Sequence, residues 1–191
     1  MKMLFGLAFL ATAGCATVPA TPDRDFFADL SALCGKAYEG RIVSPPAAAD
    51  ASFTGKRLVM HVRECSEDVI RVPFHVDGDR SRTWVITRTA GGYRLKHDHR
   101  HEDGSEDKVT QYGGDSITPR VAARQEFPAD AFTKQLLVRE GNVAGAANVW
   151  AVEVHPGRTF AYELRRPGRF FRVDFDLARP VAAPPPPWGS R

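Results

Sequence analysis

From about residue 56 onwards, hydrophobic and polar residues alternate along most of the chain. The apolar or aromatic positions that recur at every second residue are Leu58, Met60 and Val62; Ile70, Val72, Phe74 and Val76; Trp84 and Ile86; Tyr93 and Leu95; Trp150, Val152 and Val154; Phe160, Tyr162 and Leu164; and Phe171, Val173 and Phe175. The intervening positions are rich in arginine, lysine, aspartate and glutamate. Because successive side chains of a strand point to opposite faces, the pattern predicts strands with one face against a core.

Short turn signals separate the predicted strands. They are Asp77-Gly78, Gly91-Gly92, Asp103-Gly104, Pro156-Gly157 and Pro167-Gly168, and Gly113-Gly114 is interpreted as a further, wide turn. Connections of this length join antiparallel neighbours and are too short for parallel crossovers. The chain is therefore predicted to be mostly β, a single antiparallel β-barrel or sandwich, and sequential hairpins favour the up-and-down barrel.

Two segments follow helical spacing instead. Apolar residues before Gly35 predict an N-terminal helix over about 24–34, and a second group after Pro128 predicts one short internal helix near 129–138. The residues in these two groups are Phe26, Phe27, Leu30 and Leu33, and Phe132, Leu136 and Leu137.

The first fifteen residues carry a different kind of signal. Lys2 is followed by an apolar run over 3–11, by the small residues Thr12-Ala13-Gly14 and then by Cys15. This arrangement resembles the bacterial lipoprotein signal, which implies cleavage before Cys15 and lipidation of its thiol. Ala16 in place of an aspartate implies, by the same resemblance, release to the periplasmic face of the outer membrane. The alternative is an ordinary secretory signal that leaves Cys15 as a spare thiol.

These features divide the chain into four parts. We expect a signal peptide over 1–14, a tether over 15–22, one β-rich domain over 23–179 and a disordered proline-rich tail over 180–191. The tail contains four consecutive prolines, which cannot join a sheet ladder, so it is predicted to be an exposed polyproline segment.

Two cysteines remain if Cys15 carries lipid. An even pair in an oxidising compartment predicts a disulfide between Cys34 and Cys65. Closing a loop of about 30 residues is worth about 3 kcal/mol in the chain-entropy model. A reduced pair that binds metal or acts as a nucleophile is the alternative, although the chain has no Cys-x-x-Cys spacing.

The charged residues are interleaved along the chain. The 26 basic and 23 acidic residues leave a formal net charge of +3 and form no basic stripe that would follow a phosphate backbone. We therefore expect no nucleic-acid partner.

Two further resemblances concern the domain itself. The predicted helix leads into Lys36-Ala37-Tyr38-Glu39-Gly40, which resembles the lipocalin-like (calycin) architecture, with Gly35 and Tyr38 standing near the place of the Gly-x-Trp of lipocalins. The stretches 55–63 and 96–104 are similar to a set of uncharacterised secreted bacterial proteins. That similarity spans most of the chain and implies no known activity.

The run 96–103, with sequence KHDHRHED, is the main candidate for chemistry. On a strand, His97, His99 and His101 share one side, and two histidines at this spacing, completed by His101 or Glu102, suit Zn²⁺ or another divalent transition metal. A second interpretation is a solvated strand end where the histidines pair with acidic neighbours. A third is acid–base catalysis, since histidine titrates near neutral pH.

Basic and aromatic residues near predicted turns suggest a ligand rim. One group comprises Arg82, Trp84, Arg88 and Tyr93, and another comprises Arg165, Arg166 and Arg169 around Pro167-Gly168. Such rims suit an acidic ligand or an anionic headgroup. Neutralisation across strands by Asp77, Asp79, Glu163 and Asp174 is the alternative.

Taken together, these observations predict a non-enzymatic, membrane-anchored periplasmic lipoprotein that binds a small apolar ligand or an envelope protein. No nucleophile elbow or other catalytic set supports a hydrolase. We expect no cofactor under this hypothesis. The alternative is a metal-dependent protein that uses His97, His99 and His101.

Overall fold

The computed structural model describes residues 25–190. The predicted signal peptide over 1–14, the lipidation site Cys15 and the tether over 15–22 lie outside the described residues, and those predictions stay predictions.

The described chain folds into eleven strands and two α-helices. The helices are α1 (Phe26–Ser31) and α2 (Ala131–Arg139), and 3₁₀ turns occupy Ala48–Asp50 and Val143–Ala147. The strands are β1 (Ala37–Ile42), β2 (Leu58–His61), β3 (Glu64–Cys65), β4 (Val69–Val76), β5 (Asp79–Arg88), β6 (Tyr93–His99), β7 (Tyr112–Asp115), β8 (Arg124–Pro128), β9 (Val149–His155), β10 (Thr159–Arg166) and β11 (Arg169–Val181). Within residues 25–190, no helix has the length and apolar character that crossing a membrane requires.

All strands belong to one antiparallel sheet in the order β7-β6-β5-β4-β2-β1-β11-β10-β9-β8, with β3 paired to β4. Neighbours follow the chain except that β2 pairs with β4, past the short β3, and that β1 pairs with β11, which joins the first and last strands. That pairing curls the sheet into a nearly closed barrel. The prediction of a mostly β, antiparallel domain is confirmed, and the shape is that of a barrel rather than a sandwich.

The barrel closes between β7 and β8 through contacts other than a regular strand ladder. The backbone N–H of Asp130 donates to the carbonyl of Gly113 at 3.0 Å, and the N–H of Gly113 donates to the hydroxyl of Thr133 at 2.7 Å. A Cβ added to Gly114 would lie 1.8 Å from the backbone oxygen of Pro128. Gly113-Gly114 is thus part of β7 rather than the predicted wide turn, because only glycine permits this close approach.

The inward positions of the strands form the core. Every residue that the alternation assigns to the apolar face is buried, except Leu164, which is half-buried. The local pattern therefore specifies which face of each strand meets the interior.

Helix α1 packs at one end of the barrel. Its Phe26 and Phe27 lie with ring centroids 5.3 and 6.1 Å from the ring of Tyr93. Asp25 caps the helix through the N–H of Ala28 at 2.8 Å. The helix is shorter than the predicted span over 24–34, because the chain turns after Ser31.

The predicted disulfide is confirmed. Cys34 and Cys65 are bonded, with their Cα atoms 6.3 Å apart, and so tie the segment after α1 to β3. The alternative of a reduced, metal-binding or nucleophilic pair is wrong.

The end of the chain differs from the predicted exposed tail. Strand β11 continues through Pro180 and Val181, which pair with β1 beside an irregularity in its register. A proline is tolerated at such a bulge, since the ladder there does not require its missing N–H. Residues 182–190 then follow the outside of the barrel, where the backbone N–H of Trp188 donates to the backbone carbonyl of Arg80 at 3.1 Å.

Candidate functional site

The interior of the barrel contains a cavity of about 190 Å³. It lies at the end away from α1, because β6 runs from Tyr93 beside the helix to His97 and His99 in the cavity wall. Aromatic side chains form much of its wall: Phe53, Phe74, Trp84, Tyr112, Trp150, Tyr162 and Phe171. Leu137 of α2 and Asn142 line part of it as well.

Trp84 forms the centre of the aromatic wall. Its ring stacks on Tyr162 with centroids 4.3 Å apart and on Phe74 at 4.9 Å. The tryptophan is 2% exposed. The stacked rings make the deep part of the cavity rigid and aromatic, which suits an apolar group.

His97 joins three strands across the interior. Its Nδ1 donates to the backbone carbonyl of Tyr112 at 3.0 Å, so its Nε2 accepts from the hydroxyl of Tyr162 at 2.8 Å. This assignment of the tautomer follows from the carbonyl, which only accepts. Burial lowers the pKa of His97 to about 3, which keeps the ring neutral and both nitrogens satisfied.

A second histidine–tyrosine pair adjoins the first. The hydroxyl of Tyr112 lies 3.2 Å from Nε2 of His99. Burial, with the charge of Arg82, lowers the pKa of His99 to about 4, and burial raises the pKa of Tyr112 to about 12. Neither residue titrates near neutral pH, so this pair forms a neutral polar wall and is poorly suited to general acid–base catalysis.

The predicted metal cluster does not assemble. Strand β6 ends at His99, so the alternation stops there and the side chain of His101 is 56% exposed beside Asp107. Glu102 is exposed in the following turn. Within residues 25–190, no three His, Cys, Asp or Glu side chains are arranged to hold a metal ion. The expected convergence of His97, His99, His101 and Glu102 is therefore wrong, and the exposed end of the run matches the solvated interpretation.

The structure also separates the four predicted rim residues. Arg82 and Trp84 line the cavity. Arg88 binds Asp25 at 2.8 Å, and Tyr93 is fully buried against α1. Four residues of a strand span about 13 Å, so Arg88 lies too far along β5 to share a rim with Trp84.

Sequence reasoning missed how the cavity is completed. Trp150 and Tyr162 were assigned to inward faces, but the alternation does not show that β10 lies across the barrel from β6. Of the second predicted rim, Arg166 and Arg169 line the cavity, whereas Arg165 does not and pairs with Glu126 at 2.6 Å. The alternation agrees with this division, because Arg166 falls two residues beyond Leu164 and Arg169 two before Phe171, on the inward side of their strands.

No protein-family model, curated protein or solved structure matches the chain. The candidate site is therefore argued from its own geometry. The similarity to secreted bacterial proteins stays a prediction.

Proposed function

We propose that this protein binds a small molecule inside its barrel and does so in the bacterial cell envelope, tethered through a lipid on Cys15. The observation that carries the binding function is the aromatic cavity of about 190 Å³. An apolar cavity of about 150 Å³ suffices for benzene in other proteins, so this one has room for one ring with a small substituent. Unfilled space costs packing energy, and its presence supports a role in binding.

The envelope part of the proposal rests on the N-terminal sequence and on the disulfide. Residues 12–15 provide the lipidation signal, and Ala16 favours the periplasmic face of the outer membrane. The bond between Cys34 and Cys65 supports an oxidising compartment, where disulfides persist. A barrel with a helix at one end and a cavity at the other also supports our proposal of a lipocalin-like architecture.

A neutral one-ring probe tests the binding function. We expect benzamide to bind the wild-type protein and to lose binding in Leu164→Trp, because the larger ring fills the cavity that Leu164 lines. Val43→Trp is the matched control, since Val43 is 42% exposed and does not line the cavity. Ligand-observed NMR measures the binding. Equal binding by both tryptophan variants would place the probe elsewhere and refute the proposal.

Native mass spectrometry separates ligand binding from an interaction role. A small molecule that leaves the natively purified protein on denaturation supports ligand binding, whereas a stoichiometric envelope protein in its place supports an interaction module. The anchor is tested separately with Cys15→Ser. We expect that variant to leave the membrane fraction or to keep its uncleaved leader, and unchanged fractionation and mass would contradict lipidation.

A further inference from the structure

The mouth of the cavity is basic. Arg82, Arg166 and Arg169 line it, and none of the described residues in its wall is acidic. Two of these arginines bind carboxylates just outside, since Arg82 pairs with Asp79 and Arg169 with Asp50. Two of the three lining arginines are thus paired with a carboxylate, and the cavity histidines add no charge because their pKa values are lowered to about 3 and about 4.

Arg166 is the exception among the three lining arginines. Its guanidinium donates to the side-chain oxygen of Asn148 at 2.9 Å and forms no ion pair with a carboxylate among residues 25–190. The acidic residues expected to neutralise this hairpin are engaged elsewhere, since Glu163 binds Arg124 at 2.7 Å and Asp174 binds Arg172 at 2.7 Å.

The two hairpin arginines also repel each other. Arg166 and Arg169 are directly paired across the turn between β10 and β11. Burial and the charge of Arg169 lower the pKa of Arg166, and the carboxylate of Asp50 opposes part of that effect. The Nε of Arg169 is buried without a hydrogen-bond partner within the described structure. An anion at this point would reduce the repulsion and accept the remaining N–H groups.

The depth of the residues fixes how such a ligand is oriented. Trp84 and Trp150 are 2% exposed, whereas the side chains of Arg82 and Arg169 are 22% and 18% exposed. The aromatic surface is thus the deep end, and the guanidinium groups lie nearer to solvent. A ligand with a flat apolar body and one anionic end matches both.

We propose that the cavity recognises a small aromatic monocarboxylate, with its ring against Trp84 and Tyr162 and its carboxylate on Arg166 and Arg169. This inference rests on the proposed ligand-binding function and adds the chemical class of the ligand. The cavity volume limits that ligand to about one ring and its carboxylate.

Benzoate and benzamide test the carboxylate, because they have the same shape and differ in charge. In calorimetric titrations of the full-length protein, we expect benzoate to bind about tenfold more tightly than benzamide, as one charge-assisted contact provides. Added salt weakens benzoate binding and leaves benzamide binding unchanged. Arg166→Met is expected to reduce benzoate affinity to that of benzamide. Arg166 is the better site to vary than Arg169, whose loss would leave Asp50 buried without its cation.

Two further variants make the test specific. Arg179→Gln removes the same charge from a side chain that is 87% exposed, and we expect it to leave both affinities unchanged. Arg166→Lys keeps the charge and is expected to retain part of the preference for benzoate, which gives a second measurement if Arg166→Met does not fold.

The outcomes separate the two proposals. Equal affinities of the wild-type protein for benzoate and benzamide would overturn the carboxylate inference and leave ligand binding intact. Absence of binding by both probes would overturn both proposals. Equal losses of benzoate affinity in Arg166→Met and Arg179→Gln would show a diffuse effect of charge and overturn the assignment to Arg166.

Discussion

Replacing Thr133 by valine tests how the barrel closes between β7 and β8. The Thr133 side chain is fully buried, and its hydroxyl accepts from the N–H of Gly113 at 2.7 Å and donates to the carbonyl of Gly113 at 2.8 Å. Valine has nearly the same shape and the same branching at Cβ, so the packing and the helix propensity of α2 stay almost unchanged. The substitution therefore removes the hydroxyl and little else.

The expected cost follows from the two atoms of Gly113. Its carbonyl keeps a partner, the N–H of Asp130 at 3.0 Å. Its N–H loses the Thr133 hydroxyl, and a buried donor without a partner costs about 1–3 kcal/mol. We expect Thr133→Val to lower the free energy of unfolding by about 2 kcal/mol, a large share of the roughly 5–15 kcal/mol typical of a domain.

Urea unfolding measures this change, and Thr133→Ser is the matched control. Serine keeps the hydroxyl and loses one methyl group, worth about 0.8 kcal/mol. With a slope of about 2 kcal/mol per molar urea, the valine variant should unfold about 1 M earlier than the wild type. Hydrogen exchange of the Gly113 amide should increase in the valine variant alone. Equal midpoints for valine and wild type, or equal loss in both variants, would refute this account of the closure.

Two further predictions concern stability. Replacing Cys34 and Cys65 together by serine removes a crosslink between residues 31 positions apart, and we expect the free energy of unfolding to fall by about 3–4 kcal/mol. Hydrogen exchange should increase in α1 before it increases in the strands. Simultaneous increases in the helix and the strands would contradict this prediction. Since the pKa values of His97 and His99 are lowered to about 3 and about 4, the unfolded chain binds more protons than the folded one between those values and about 6.5. Stability should therefore fall as the pH drops below about 6.5. In urea unfolding, the difference in stability between pH 7 and pH 5 should be smaller for His97→Gln than for the wild type. An equal difference would contradict the conclusion that His97 is buried in its neutral form.

The alternation along each strand was sufficient to predict the inward faces of the barrel. A two-residue period is a local property, and burial of one face imposes it directly on the sequence. Trp84, Trp150 and Tyr162 were each assigned to the interior in this way. Their meeting in one cavity depends on the order of strands around the barrel, which the period does not encode.

The closure was not predictable because its sequence lacks the usual residues of strands. Gly113 and Gly114 disfavour a strand by propensity, and Pro128 disfavours one in β8. They occur here because backbones from separate elements approach closely, so that a Cβ on Gly113 would lie 1.9 Å from the carbonyl oxygen of Leu95. That requirement comes from tertiary structure and leaves no periodic pattern.

The prediction that His97, His99 and His101 converge was wrong for a different reason, because the alternation was extended past the end of the strand. Alternation from His97 through His101 assumes a continuous strand, but Arg100 forms only an isolated bridge with Glu106 and the chain turns at Gly104. The Asp103-Gly104 turn signal already marked this end. The exposure of His101 beyond the strand end therefore follows from the turn and does not require a metal.

The arginines at the cavity mouth follow the same two-residue alternation as the inward apolar residues of their strands. Arg82 precedes Trp84 by two residues, and Arg166 follows Leu164 by two, so both continue an inward apolar face. An inward residue near one end of a strand lies where the interior meets water, and a long cationic side chain is tolerated there because its stem packs while its head stays near solvent. A buried face that ends in a cation on several strands therefore indicates a basic opening. Here the register adds the decisive feature, because Arg166 faces Arg169 rather than a carboxylate and forms no ion pair with a carboxylate among residues 25–190.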